Sequence, residues 1–313
     1  MGISRPTLRR LCVVCLLVVL VVVVESKKAK AKVAAPPPLA DQISAALGDA
    51  IAWVQQPKII VPLALFASPL AFAPKHAGDF VSEMVGTIVM VFFTFTPGPF
   101  QGHRGVTTEW MLHALGVMIA DWTCGGPHVN PCVTAAIWAW GKISVTQSIV
   151  HIGGQMAGGI LAFPALQGVS TLFDVTIGGP QFDPSAVGTN DAMWNEFSGC
   201  FLLMVVVFVF ATTWFGDGAY ENTKRANAVY LRKQACIAAG IRLIIWSRPA
   251  TGPAVNAMLG TTWAFYKTGA FPTDPGHYLV YWVGGISGAV LAALIWSALT
   301  STGMFAPSKA KTA

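Results

Sequence analysis

Charge is scarce in this chain. Only 11% of its 313 residues are Asp, Glu, Lys or Arg, against roughly a quarter in soluble domains, and that excludes an ordinary water-soluble enzyme. Acidic residues are the scarcer sign, 14 against 20 Lys and Arg for a net charge of +6. The basic residues sit in loops and tails without interleaved aromatics, so nucleic-acid binding has no support. Of six cysteines, Cys12 and Cys15 form a Cys-x-x-Cys pair inside an unbroken apolar run; they offer neither a disulfide framework nor a metal site. No nucleophile with its base, phosphate loop or metal cluster can be read from the sequence, and no cofactor or metal is expected. What the chain does have is 54% hydrophobic residues, 31 glycines and a mean hydropathy of +0.59. Several apolar runs reach about 20 residues, the length of one helical bilayer crossing. An all-α integral membrane protein is expected, in contact with membrane lipid.

The N-terminus has the grammar of a secretory signal. Arg5, Arg9 and Arg10 precede the 14-residue run LCVVCLLVVLVVVV (11–24), and Ser26 with Val24 offers a cleavage site. Such a run covers about 21 Å as a helix, short of the roughly 30 Å hydrocarbon core. Residues 1–26 are therefore read as a signal or targeting segment, with an uncleaved anchor as the alternative. Residues 27–78 read as a linker that is Lys- and Pro-rich to residue 58. Its apolar stretch 59–73 is broken by Pro62 and Pro69 and is expected to be interfacial or re-entrant. Residues 79–303 form the membrane domain, and 304–313 a basic cytoplasmic tail.

Six spans are expected, at about 80–97, 107–123, 147–167, 194–215, 232–247 and 278–300. The 216–235 connection holds Lys224, Arg225, Arg232 and Lys233, the C-terminal tail holds Lys309 and Lys311, and the 168–193 connection has no Lys or Arg. The positive-inside rule then places both ends of the six-span core in the cytoplasm. A cleaved signal would leave Lys27 outside. The conflict is resolved either by an extra crossing at 59–73 or by a leader that targets an organelle.

The second half echoes the first. SEMVGTIVMVFF (82–93) matches NEFSGCFLLMVVVFVF (195–210) at an acid followed three residues later by glycine: Glu83 with Gly86, Glu196 with Gly199. GGQMAGGILA (153–162) matches VGGISGAVLA (283–292), with small residues that let helices approach closely. Three spans per half is an odd number, so the copies are inverted, a recurring plan among channels and transporters. Each half also holds a stretch too short to span that begins at an asparagine, HVNPCVTAAIWAW (128–140) and AVNAMLGTTWAFY (254–266). Asn130 is a good N-cap with Pro131 at the first helical position. Two re-entrant half-helices are expected to dip in from opposite faces. Irregular backbone at that depth survives only in protein or against water, which implies a polar path between the halves.

With Glu83 and Glu196, HVNPCVT, Gln155 with Gly158, TGPAVN (251–256) and YWVGGISGA (281–289), residues 79–300 resemble the aquaporin or major intrinsic protein family. Within it the chain is most similar to the small basic intrinsic proteins of plants and the unorthodox Asn-Pro-Cys animal members, through Cys132 and Pro253. The resemblance implies asparagine motifs at Asn130, Pro131 and Cys132 and at Asn256, Ala257 and Met258, meeting at the pore centre. Ala257 stands where the family has proline. It keeps helix propensity but restores an N–H and gives up a rigid start, so a slightly wider or more mobile centre is expected. Glu83 and Glu196 are implied to be buried struts for the loops. Ungapped counting from the asparagines puts the selectivity filter at Trp110, Ile244, Pro253 and Leu259, where the arginine and histidine of typical water-selective members are missing. His113 shares a helix face with Trp110 and is a candidate pH gate, with a satisfied core histidine as the plainer reading. His128 is expected to fix its loop by hydrogen bonding. Cys132 is expected beside the constriction and within reach of mercurials.

The function expected is passive passage of water or small uncharged solutes through an asparagine-lined pore, with no enzyme activity. The two half-helix N-termini would exclude cations and protons. A membrane scaffold or assembly subunit with a closed, residual pore is the alternative, and an ion-coupled transporter ranks third. Homotetramers are implied by the resemblance. The leader favours the endoplasmic reticulum or another secretory-pathway membrane and leaves the plasma membrane, vacuole and plastid open.

Overall fold

The computed structural model describes residues 39–95, 106–171, 177–213, 223–248, 251–252 and 254–301. The leader, the Lys27 neighbourhood, Pro253 and the tail from residue 302 lie outside them. Ten α-helices follow one another among the described residues: α1 (Leu39–Val54), α2 (Pro57–Ala67), α3 (Ala77–Phe95), α4 (Val106–Cys124), α5 (Pro131–Ala139), α6 (Val145–Thr171), α7 (Thr189–Phe208), α8 (Thr223–Trp246), α9 (Ala257–Thr268) and α10 (Pro275–Ser301).

The long helices α3, α4, α6, α7, α8 and α10 coincide with the six expected spans. Four of them, α3, α6, α7 and α10, are long and apolar enough to cross a membrane. The other two carry ionisable residues along their length: Glu109, His113 and Asp121 on α4, and Lys224, Arg225, Arg232, Lys233 and Arg242 on α8. The two helices that start at the asparagines, α5 and α9, have 9 and 12 residues, about 14 and 18 Å, well under a bilayer crossing.

Two expectations need correction. Residues 39–67 are not a linker, because α1 and α2 occupy them. Five alanines in the 16 residues of α1 and Pro57 at the first turn of α2 favour helix. Ile59 of α2 is fully buried against Ile160 of α6 and Phe265 of α9, so the pair is docked on the bundle. Likewise the 216–235 connection is helical from Thr223. The stretch TKRANAVYLRKQA has neither proline nor glycine to stop it, and its basic residues occupy the first turns of α8.

The internal repeat is visible as matched contacts. In the first half α3 packs on α6, and in the second α7 packs on α10. Each half-helix crosses over, α5 onto α10 and α9 onto α6, so neither half can fold away from the other. The small residues set the approach. A Cβ on Gly154 would stand 2.5 Å from the Phe80 carbonyl oxygen, and one on Gly158 2.5 Å from that of Met84. Their counterparts Gly284 and Gly288 meet the carbonyls of Met193 and Phe197 in the same way. Relative to Glu83 and Glu196, the four carbonyls fall at the same two offsets, three before and one after. The sequence match between the halves is thus also a packing register.

Because Gly158 faces backbone and Gly78 faces open space, Gly158→Ala is expected to destabilise by about 1–3 kcal/mol through overpacking. Gly78→Ala is expected to be neutral or slightly stabilising. Thermal unfolding of the two variants in detergent checks the contrast.

Candidate functional site

Both asparagines cap their half-helices in the same way. Asn130 (φ −155°, ψ 120°) accepts the Cys132 N–H at 2.9 Å, and Asn256 (φ −162°, ψ 108°) accepts the Met258 N–H at 3.1 Å. The missing proline at Ala257 therefore leaves the cap geometry unchanged. The side-chain amides reach across the repeat axis. Asn130 Nδ2 donates to the Val255 carbonyl at 2.8 Å, and Asn256 Nδ2 donates to the Val129 carbonyl at 2.9 Å. One N–H of each amide is spent in this clasp, and one remains.

The valines before the asparagines are both in the left-handed region, φ 50° at Val129 and 44° at Val255, a conformation that β-branched residues rarely adopt. Buried carboxylates hold them there. Glu83 Oε2 accepts the Val129 N–H at 2.8 Å and Gln155 Nε2 at 2.9 Å, while its Oε1 accepts the His128 N–H at 2.8 Å and His151 Nδ1 at 2.7 Å. Glu196 Oε2 accepts the Val255 N–H at 2.8 Å, and its Oε1 accepts the Ala254 N–H at 3.0 Å and the Thr251 hydroxyl at 2.6 Å. Each loop thus turns its N–H groups onto an acid and its carbonyl toward the opposite asparagine. His128 also bonds Thr134 Oγ1 at 3.0 Å.

A cavity of about 590 Å³ runs past this clasp, and Asn130 and Asn256 both line it. Its walls are largely apolar, from Met90, Val117, Ile137, Ile241, Ile245 and Leu259 among others. Polar groups enter mainly from α4 and α8: His113 and Asp121, and Lys233, Gln234 and Arg242. Asp121 accepts from Gln234 Nε2 at 2.7 Å and from the Tyr230 hydroxyl, tying α4 to α8 beside the wall. The α6–α7 connection contributes Gly178, Gly179 and Pro180. Close to them, Ser185 donates to Asp183 through its N–H and hydroxyl, which holds that exposed carboxyl below its ordinary range.

The expected filter positions fall out differently. Leu259 lines the cavity. Trp110 lies on α4, its side chain outside the described residues, as is Pro253. Ile244 does not line the cavity. It is buried in the cluster that holds Cys132, Leu203 and Val255, whereas Ile241 and Ile245 face the opening. The cavity face of α8 recurs at 234, 237, 241 and 245, and counting back from Asn256 through an irregular connection loses that register by one. Cys132 is also turned away. It is fully buried, with Cys200 and Gly285 as neighbours, and Val133 takes the place at the wall. Arg248 is engaged with Ser198 and Ser247, at 2.9 and 2.7 Å, and is absent from the lining.

Three residues escaped the sequence reading. Arg242 was visible as a lone cation in the apolar stretch IAAGIRLIIW, and an ionisable residue inside a span is a site candidate by default. His151 stands one helical turn before Gln155, on the face that meets Glu83. Asp121, inside the expected span 107–123, carried the same signal as Arg242, and Tyr230 and Gln234 stand beside it. Glu83, His128 and His151 also bring one metal-ligating atom each to within 4.8 Å of one another, a juxtaposition that the sequence reading did not foresee.

Replacing Glu196 with Ala orphans the Ala254 and Val255 N–H groups, each worth about 1–3 kcal/mol when buried. Glu196→Ala is therefore expected to lower the unfolding temperature in detergent sharply. Cys132→Ser is expected to leave any mercurial block of flux unchanged, measured by osmotic light scattering of vesicles before and after the reagent.

Known proteins resemble this chain over most of its length. The pattern of the family described as Major intrinsic protein matches residues 72–296. Aquaporin Z of Photorhabdus laumondii is 28% identical over 229 residues, covering 72% of this chain and 96% of that protein. Aquaporin TIP1-2 of Zea mays is 26% identical over 240 residues, covering 71% and 86%. The solved aquaglyceroporin of Plasmodium falciparum shares the fold with a TM-score of 0.59 at 17% identity, over 71% of this chain and 96% of that one. The chain belongs to the major intrinsic protein family of aquaporin-like membrane channels, which are not enzymes.

Proposed function

We propose that the chain is a passive channel for water and small uncharged solutes, and that its narrow centre is the clasp of Asn130 and Asn256. The observation that carries this reading is the 590 Å³ cavity with both asparagines on its wall. The amide N–H that each asparagine keeps outside the clasp donates to the oxygen of a passing water. Two half-helix N-termini, each equivalent to about half a positive charge, face the same point. A water held by two donors turns its own hydrogens outward, so a proton cannot hop along the file, and cations meet a positive field.

In this reading Arg242 takes over the role of the absent filter arginine, reaching the path from α8 rather than from the Leu259 position on α9. With His113 it gives an otherwise apolar wall two polar handles, which suits small solutes that have one polar and one apolar side. Glu83 and Glu196 act as struts. Residues 1–26 are a targeting segment ahead of a secretory-pathway membrane, the basic start of α8 faces the cytoplasm, and four copies assemble.

Proteoliposomes of the full chain are expected to shrink faster than empty vesicles under a sucrose step. Ile245→Trp, which fills the path from its α8 wall, is expected to bring them most of the way back. Folded wild-type protein with no excess flux would contradict the proposal. Repeating the assay with glycerol, urea and peroxide gradients ranks the solutes.

A further inference from the structure

The internal repeat supplies its own control for the two loops. Glu196 holds the second loop with two backbone N–H donors and one hydroxyl. Glu83 does the same work on the first loop with two backbone N–H groups and the Gln155 amide. The first half then adds two histidines, whereas among the described residues no histidine bonds Glu196. His151 Nδ1 lies 2.7 Å from Glu83 Oε1, His128 Nδ1 lies 3.8 Å from the same oxygen, and the two imidazole centroids are 4.8 Å apart. The strut does not need them.

We propose that Glu83, His128 and His151 form a binding site for a divalent late first-row metal ion of the Zn²⁺ type. Two imidazoles and one carboxylate suit Zn²⁺, Co²⁺, Ni²⁺ and Cu²⁺ better than Mg²⁺ or Ca²⁺, which prefer oxygen donors. In a tetrahedral site with bonds of about 2.0–2.1 Å the donors stand roughly 3.3 Å apart. The two carboxylate–imidazole separations, 2.7 and 3.8 Å, bracket that spacing, and all three ligating atoms lie within 4.8 Å of one another, so rotation of the two rings is what closes the set.

The surroundings are arranged as an outer shell. Val129 N–H and Gln155 Nε2 fix the carboxylate through its other oxygen. Thr134, which engages His128 Nδ1 at 3.0 Å, has the Asn130 carbonyl at 3.2 Å as a second acceptor, so freeing that nitrogen orphans nothing. When His151 ligates through Nδ1, its proton moves to Nε2, which faces Asp79 Oδ2 at 4.0 Å. Asp79 in turn accepts from His76 at 2.9 Å. A carboxylate behind a ligating histidine is the usual way its tautomer is set. Ions have two approaches: Asp79 is partly exposed, and His128 is part of the cavity wall, which leaves a fourth position for water. A metal held here would pin the first loop to α6 at the edge of the pathway.

The test is binding, which does not depend on the channel reading. Untagged full-length protein in detergent is titrated with Co²⁺ and followed by visible absorption, with Zn²⁺ and Mg²⁺ as competitors. One Co²⁺ per chain with a four-coordinate spectrum is expected, displaced by Zn²⁺ and not by Mg²⁺. His151→Ala is expected to weaken it by at least the 10–100-fold typical of losing an outer-shell partner. Folded wild-type protein without that spectrum overturns the proposal, and so does unchanged binding in folded His151→Ala.

Discussion

The structure depends on a reciprocal pair of hydrogen bonds at its centre. Asn130 donates to the carbonyl before Asn256, and Asn256 donates to the carbonyl before Asn130. Those carbonyls point inward only because Val129 and Val255 are held with positive φ, and the valines stay there because Glu83 and Glu196 collect the N–H groups of the same turns. A buried carboxylate is costly in an apolar bundle, and three or four donors offset that cost. Strain, charge and clasp are mutually dependent, and removing any one exposes the others.

The rest of the fold brings these parts together. The short helices cannot span, so their ends must stop inside the bundle, and each lies against the last helix of the opposite half. That exchange requires α3 and α6, and α7 and α10, to pack nearly backbone to backbone, which the glycines at 154, 158, 284 and 288 permit. Four of the ionisable residues that make α4 and α8 poor crossing helices by composition, His113, Asp121, Lys233 and Arg242, face the cavity. Polarity is thus turned inward, the reverse of a soluble domain.

Much of this was legible in the sequence because it is periodic or repeated. Six apolar runs, two asparagine starts and two acids in register fix the architecture. Asn130 was identified as a cap, and Asn256 as the start of the second short stretch, from local chemistry alone. What failed was whatever depends on register through irregular backbone. Ile244 was counted across the 247–256 connection and missed the cavity face by one residue, and Cys132 was judged by sequence proximity to Asn130 although a helix turns consecutive residues about 100° apart. Helices α1 and α2 were hidden because residues 27–58 read as a Lys- and Pro-rich linker and Pro62 and Pro69 as breaks, while tertiary burial of Ile59 overrides that propensity. The Glu83–His128–His151 cluster joins residues 45 and 68 positions apart, which no local pattern reports.

The central claim is that a donor-only clasp at the meeting of two half-helix N-termini passes water and stops protons. The direct test is to measure both on the same vesicles: osmotic shrinkage by light scattering, and decay of an imposed pH gradient by an entrapped dye, with a counter-ion pathway supplied so that charge cannot limit the leak. Water flux well above that of empty vesicles, with proton decay indistinguishable from theirs, is the result predicted. A pH gradient that collapses in step with the water flux would contradict the account.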